Sequence, residues 1–224
     1  MKLALQAIAS GVFGLVFFAV ALFGPAGTFD YWQAWVFIAV FVVCTLVPSF
    51  YLALNDPATL ERRLHGGPTA ETRLVQKVVI SATIGSVLAV LIISALDHRF
   101  GWSSVPVAVV VLGDVLVAVG LVLAQAVVFQ NSFAGATIRV EAEQQVVSTG
   151  LYGLVRHPMY FGALVMMFGT PLALGSYWGV LATIVSMPVL GVRIVDEEKL
   201  LRTELDGYAE YAQKVRYRLL PYVW

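Results

Sequence analysis

Apolar residues run through this chain in long blocks, without the strict alternation of a half-buried strand or the single stripe of a soluble amphipathic helix. Four blocks, near residues 4–23, 33–54, 76–96 and 105–129, each reach the roughly 20 apolar residues that a spanning helix requires. Two shorter ones, 158–174 and 177–195, are separated only by Gly175-Ser176, which predicts a tight helical hairpin. The stretches between are polar. Residues 55–75, with Pro57, Gly66, Gly67 and Pro68, predict a loop, and residues 130–157 predict a second, ending in the turn signal Ser148-Thr149-Gly150. After the last block, Leu201, Leu205, Tyr208, Ala212 and Val215 recur at three- and four-residue steps among Glu, Lys and Arg. That stripe predicts one amphipathic helix lying along the membrane surface or under the bundle. The expected fold class is all-α integral membrane, with about six transmembrane helices, a C-terminal helical hairpin and an amphipathic C-terminal helix. A four-helix transmembrane region at 1–129 would precede a functional region at 130–224.

Composition agrees with the pattern. Of the 224 residues 59% are hydrophobic and 12% charged, whereas soluble domains carry about 25% charged residues; too few charges remain to coat a soluble globule. The first block follows Met1-Lys2 and contains Ala19-Val20-Ala21, which mimics a cleavable leader, but with five further spans behind it the block reads as a retained helix. The net charge is zero, so no global field points to nucleic acid. Position matters more than total. With the amino terminus inside, Lys2, Arg62, Arg63, Arg73, Lys77, Arg139, Arg156, Arg193, Lys199, Arg202, Lys214, Arg216 and Arg218 all fall on the cytoplasmic side, and of the 14 Lys and Arg residues only Arg99 falls outside. Six spans with both termini cytoplasmic satisfy this bias; five do not.

Several residues compete for a chemical role. Cys44 is a lone thiol in an apolar run and reads as packing. His65, His98 and His157 lack neighbours at ligand spacing, so no metal site is expected. Asp114 lies deep in the fourth block, where a carboxylate is costly; it is either functional or paired with Ser81, Thr83 or Ser86. Gln125 on the same block is a second polar group near the cytoplasmic end. Tyr31, Trp32, Trp35, Trp102, Tyr177 and Trp178 fall near outer boundaries, as interfacial belts do.

The densest polar cluster is Gly150 to Gly162. Pro158 suits a first helical position, so Arg156 and His157 stand at the mouth of the fifth helix, whose unpaired backbone donors add positive potential. This mouth suits a carboxylate or phosphate; as interfacial anchors the same two residues would equally meet lipid headgroups. Asp196-Glu197-Glu198 closes the sixth helix, where acids oppose the dipole. At about 1.5 Å per residue the two short spans return the chain to its starting height, making His157 and Glu197 neighbours across forty residues of sequence. An anion site beside carboxylates suits a zwitterionic amino acid; solvated acids at a helix end are the plainer alternative.

Thr149-Gly150-Leu151-Tyr152, Arg156-His157-Pro158-Met159-Tyr160 with Gly162, Glu197-Glu198-Lys199-Leu200, and then Tyr208, Tyr211, Arg216, Arg218 and Pro221 form an ordered, spaced set. Over about residues 130–222 the chain resembles the isoprenylcysteine carboxyl methyltransferases and the related phospholipid N-methyltransferases, a family of integral membrane enzymes. The resemblance implies that the last two spans, the preceding loop and the tail enclose S-adenosylmethionine, with a lipid-facing opening for a lipophilic methyl acceptor. It implies a cofactor pocket of Gly150, Leu151, Tyr152, Val155, Arg156, His157, Pro158 and Tyr160, with Glu197 and Glu198 meeting the cofactor's amino group or the acceptor. Arg193, Arg216 and Arg218 would orient an anionic acceptor, and Asn131 is a further pocket candidate. Membrane lipid is the surrounding partner; neither nucleic acid nor metal is implied.

Two rival readings remain. Sterol-type NADPH-dependent membrane reductases have a similar tail, but there an acidic residue typically follows the tyrosine and glycine, and here Ala163 follows Tyr160-Phe161-Gly162. A transporter or non-catalytic scaffold would need a polar route through the bilayer, for which only Asp114 and Gln125, on one helix, are available. A soluble Rossmann-type enzyme is excluded, because no strand followed by a Gly-rich turn occurs.

Overall fold

The computed structural model describes residues 2–64, 73–134, 140 and 144–224. Among them the chain forms α1 (Lys2–Ala26), α2 (Trp32–Asn55), α3 (Pro57–Leu64), α4 (Leu74–Phe100), α5 (Val107–Gln130), a 3₁₀ turn (Gly150–Gly153), α6 (Pro158–Ala173), α7 (Tyr177–Glu204) and α8 (Tyr208–Lys214). Five helices, α1, α2, α4, α5 and α7, are long and apolar enough to cross a bilayer, and α6 is a shorter apolar sixth. Only 17–33% of the most apolar window of each long helix is buried. Side chains such as Phe13, Val43, Phe50 and Val185 point outward, an apolar exposure that a soluble protein does not carry. The protein is a multi-pass integral membrane protein.

Helix ends follow local chemistry. Pro158 opens α6, its missing N–H falling where no intrahelical bond is due. Gly175 takes φ 71°, which reverses the chain, and Ser176 caps α7 by accepting the Gly179 N–H at 2.8 Å. At 28 residues α7 measures about 42 Å, longer than the roughly 30 Å hydrocarbon core. Its last two turns, from about Glu197 onward, therefore exceed the length of that core.

Three sequence expectations are corrected. Residues 57–64 are helix, not loop: Asp56 accepts from Thr59 N at 3.1 Å and from its hydroxyl at 2.7 Å, holding the start of α3 and lowering the Asp56 carboxyl below its ordinary pKa. Gly66, Gly67 and Pro68 lie outside the described residues, as do His65 and Arg139. The α6–α7 pair turns sharply at Gly175-Ser176 as expected, yet α6 packs chiefly on α5 and α7 on α4. Glycines explain the choice: a Cβ on Gly169 would fall 2.8 Å from Gly113 O, Leu116 Cβ and Val117 N, and one on Gly162 would fall 2.8 Å from Gly120 O. Such backbone contact is how helices associate where burial from water gives no drive. The amphipathic tail is not one helix; it breaks at Gly207, φ 82°, into the end of α7 and the short α8. Lastly, Tyr31 is no belt residue. It is fully buried, donates to Leu174 O at 2.7 Å and stacks on His98 at 3.8 Å.

Trp32, Trp35, Trp102, Tyr177 and Trp178 are all about half exposed, as a belt requires. At that end Asp97 locks three segments, accepting from Ser103 N and Ser103 Oγ at 2.6 Å and from Ser176 Oγ at 2.5 Å. The pairing expected for Asp114 is not formed. Ser81 and Thr83 donate to carbonyls of their own helix, and Asp114 Oδ1 is buried without a partner among the described residues.

Candidate active site

The opposite end of the bundle gathers the carboxyl end of α5, the 3₁₀ turn, the start of α6, the last turns of α7, and α8 around a cavity of about 120 Å³. The three consecutive acids at the end of α7 set its geometry. Successive helical residues are turned by about a quarter of a circle, so Asp196, Glu197 and Glu198 face different neighbours.

Glu198 turns towards the tail. Its Oε1 accepts from Arg156 Nε at 2.7 Å and lies 3.3 Å from His157 Nε2, and its Oε2 accepts from Arg218 Nε at 3.1 Å. Arg156 also donates through Nη1 to Ala212 O, Val215 O and Arg216 O, at 3.3, 2.9 and 3.0 Å. The backbone follows: Arg156 N donates to Tyr217 O and His157 N to Arg218 O, each at 2.9 Å. The anion expected at the α6 mouth is therefore supplied from within, by Glu198. With both side chains of the Arg156–Glu198 pair no more than 5% exposed, it fastens the tail across the beginning of α6.

Glu197 turns towards the cavity. Its Oε2 accepts from the Tyr160 hydroxyl at 2.6 Å, and that hydroxyl accepts from Arg193 Nε at 2.9 Å. Arg193 Nη1 donates to Gln76 Oε1 at 3.2 Å. Asp196 turns towards α4, accepting from Gln76 Nε2 and pairing with Arg73 at 2.8 Å. A continuous hydrogen-bonded chain thus runs from Arg73 through Asp196, Gln76, Arg193 and Tyr160 to Glu197. Its contributors on α4 carried no sequence signal beyond being polar at the head of an apolar block.

The other wall is aromatic. Tyr208 and Tyr211 of α8 stand 5.7 Å apart and pack with Tyr152, Val146, Leu201 and Leu205. Tyr211 donates to Tyr152 O at 2.7 Å, and Asn131 Nδ2 donates to the Tyr152 hydroxyl at 3.1 Å. Tyr208 is 4% exposed and its hydroxyl has no hydrogen-bond partner among the described residues. Burial raises all three phenols above their ordinary value, with Glu197 adding to the effect at Tyr152 and Glu198 and Glu197 at Tyr208. They stay protonated at neutral pH and act as donors.

Of the residues expected in the site, Asn131, Tyr152, Arg156, His157, Pro158, Tyr160, Arg193 and Glu197 line this cavity. Gly150, Leu151, Val155, Glu198, Arg216 and Arg218 are not among its lining residues. Gly150, at φ 57°, shapes the turn, while Gln130 donates to Thr149 O at 2.5 Å and accepts from Leu151 N at 3.2 Å. Val155 is core, and Arg216 offers its carbonyl to Arg156 from an exposed position. His157 meets Glu198, and Tyr160 is the residue that meets Glu197. Gln125 does not reach the lining either. Tyr208 and Tyr211 were legible as part of the spaced tail set, though not as cavity residues. Among the described residues no three His, Cys, Asp or Glu side chains are grouped to hold a metal ion.

A polytopic helical protein with a cavity of tyrosines, an arginine and a glutamate at one end of its bundle is an integral membrane protein built to hold a small molecule there. Known proteins make this specific. The phospholipid methyltransferase family model matches residues 108–205. Two proteins named as probable protein-S-isoprenylcysteine O-methyltransferases, from Oryza sativa subsp. indica and subsp. japonica, are each 31% identical over 193 residues, covering 82% of this chain and 93% of theirs. The chain belongs to the isoprenylcysteine carboxyl methyltransferase and phospholipid methyltransferase family of integral membrane enzymes, and it is a membrane methyltransferase. The solved structure of a eukaryotic intramembrane Ras methyltransferase, an isoprenylcysteine carboxyl methyltransferase, shares its fold, with a TM-score of 0.51 at 16% identity over 99% of this chain and 97% of that one. A Delta(14)-sterol reductase from Mus musculus is 32% identical over 93 residues, 39% of this chain and 22% of that protein. The likeness to the reductase is thus partial, in keeping with the tail resemblance weighed above.

Proposed function

We propose that this methyltransferase transfers the methyl group of S-adenosylmethionine to a lipophilic acceptor, an isoprenylcysteine-like carboxylate or a lipid amine, at the cytoplasmic membrane face. The observation that carries the reading is the convergence of Glu197, Tyr160, Arg193 and the α8 tyrosines on one cavity beside the bilayer boundary. The donor set fits the cofactor. Glu197 has one oxygen on Tyr160, and a carboxylate has lone pairs for further donors, which suits an ammonium group. The faces of Tyr152, Tyr160, Tyr208 and Tyr211 suit a cation or a flat ring.

The cofactor, when bound, supplies a methyl group already activated by its sulfonium charge, so the protein's task is alignment more than strong base catalysis. Arg193 occupies a lone pair of the Tyr160 hydroxyl and thereby directs its proton to Glu197. Glu197 is held by that bond to receive a cationic group. For a carboxylate acceptor no proton moves. For an amine, Glu197 is the carboxylate placed to take one, since Glu198 is enclosed by Arg156, His157 and Arg218.

The names of the two rice relatives support an isoprenylcysteine carboxylate as acceptor. The end of the bundle with the cavity carries Arg62, Arg73, Arg156, Arg193 and Arg218, whereas Arg99 lies at the other end, bonded to Pro25 O. By the positive-inside bias that cavity is cytoplasmic, as are both termini of a six-span chain. We assign residues 130–224 as the cofactor-binding region and 1–129 as the transmembrane region that supports it.

Calorimetry of the detergent-purified protein tests the reading. S-adenosylhomocysteine should bind, NADPH should not, and Glu197→Ala should abolish binding while the protein melts normally. Binding of NADPH alone, or undiminished binding by Glu197→Ala, would refute it.

A further inference from the structure

Among the described residues the Tyr208 hydroxyl is an anomaly. Buried polar groups nearly always find a partner, and one left without pays a desolvation cost that a phenylalanine would avoid. Tyr208 is 4% exposed, lines the cavity, and has no partner among the described residues. Its neighbour Tyr211, on the same helix, shows the usual solution by donating to Tyr152 O. A hydroxyl kept in such a position completes its hydrogen bond with something that enters the cavity.

Its surroundings define the chemistry of the entering group. Tyr208 packs with Tyr211, Tyr152, Val146, Leu201 and Leu205, an apolar and aromatic patch. Arg156, a nearby cation, is already engaged by Glu198 and three backbone carbonyls. An anionic group on this patch would have no available counter-charge, whereas a flat heteroaromatic ring with a neutral acceptor nitrogen would stack and accept. We propose that Tyr208 is a ligand-recognition residue, its hydroxyl donating to a ring nitrogen of a bound adenine, with the tyrosine and leucine patch forming the base-binding end of the cavity. Burial and the two nearby glutamates keep the phenol protonated, so it donates throughout the neutral range.

This inference rests on the cofactor reading above, and the experiment separates the two. Affinity for S-adenosylhomocysteine is measured on the full chain in detergent for wild type, Tyr208→Phe and Tyr211→Phe, together with the melting temperature of each without ligand. Tyr208→Phe should bind about tenfold more weakly, the loss expected for one hydrogen bond, while its ligand-free melting temperature stays equal or rises. Tyr211→Phe, losing a bond made inside the protein, should melt lower. Among the 1-deaza, 3-deaza and 7-deaza adenine analogues of the ligand, one should bind wild type more weakly and Tyr208→Phe no more weakly than the parent ligand does. Equal affinity in Tyr208→Phe and wild type, or a lowered ligand-free melting temperature for Tyr208→Phe, would overturn the inference. Failure of wild type to bind S-adenosylhomocysteine at all would bring down the cofactor reading and this assignment with it.

Discussion

Replacing Glu198 by Gln tests the separation of roles between adjacent acids. The substitution keeps the shape of the side chain and removes its charge. Arg156 stays buried, with side chains of 5% and 4% exposure on the two sides of the lost pair. Breaking a buried ion pair from one side costs about 3–5 kcal/mol, because the remaining charge has lost its compensation. Arg156 retains three carbonyls and the amide oxygen of Gln can still accept, so the lower end, about 3 kcal/mol, applies. Arg202 supplies the internal control: 3.9 Å from Glu198 and 45% exposed, it should change stability by less than about 0.5 kcal/mol when replaced by Ala. Thermal unfolding in detergent, followed by tryptophan fluorescence and circular dichroism, reads both. Glu198→Gln should melt clearly below wild type and lose protection of the tail from proteolysis, while Glu197→Gln melts close to wild type and loses ligand binding. If the two glutamate variants exchange behaviours, or if Glu198→Gln melts as wild type does, Glu198 is not the fastening of the tail.

Two further outcomes follow from contacts elsewhere. Gly169→Ala inserts a methyl 2.8 Å from Gly113 O and Val117 N, backbone atoms that cannot swing aside; overpacking of this kind costs about 1–3 kcal/mol, so the variant should melt lower, and a neutral result would refute the close α5–α6 approach. Gln76→Leu interrupts the chain from Asp196 to Arg193 and should lower kcat severalfold with little change in KM; an unchanged kcat would show that this chain does not position Tyr160 and Glu197.

The membrane character, the six apolar helices and the approach of the two polar clusters were legible in residues alone. Each is a one-dimensional property. Block length relative to bilayer thickness identifies spans, and two short adjacent spans must bring Arg156 and Glu197 to one end of the bundle. Gly113, Gly120, Gly162 and Gly169 also sat in the sequence at matching seven-residue spacings, yet a small-residue pattern does not name its partner helix. Only packing showed that α6 prefers α5 to the helix that follows it.

What the sequence by itself determined is the solvent of this protein and the end of the bundle at which chemistry is possible, because hydropathy and helix rise need no knowledge of neighbours. The tertiary structure alone decided what each acid does. Asp196, Glu197 and Glu198 are adjacent in the chain, but helical rotation directs one to α4, one to the cavity and one to the tail. It also decided that the hydroxyls of Tyr211 and Tyr208, three residues apart, have different fates, one satisfied by Tyr152 O and the other without a partner among the described residues. Those distinctions depend on which groups lie across a gap of about three ångströms, and distance in space is what a linear pattern does not contain.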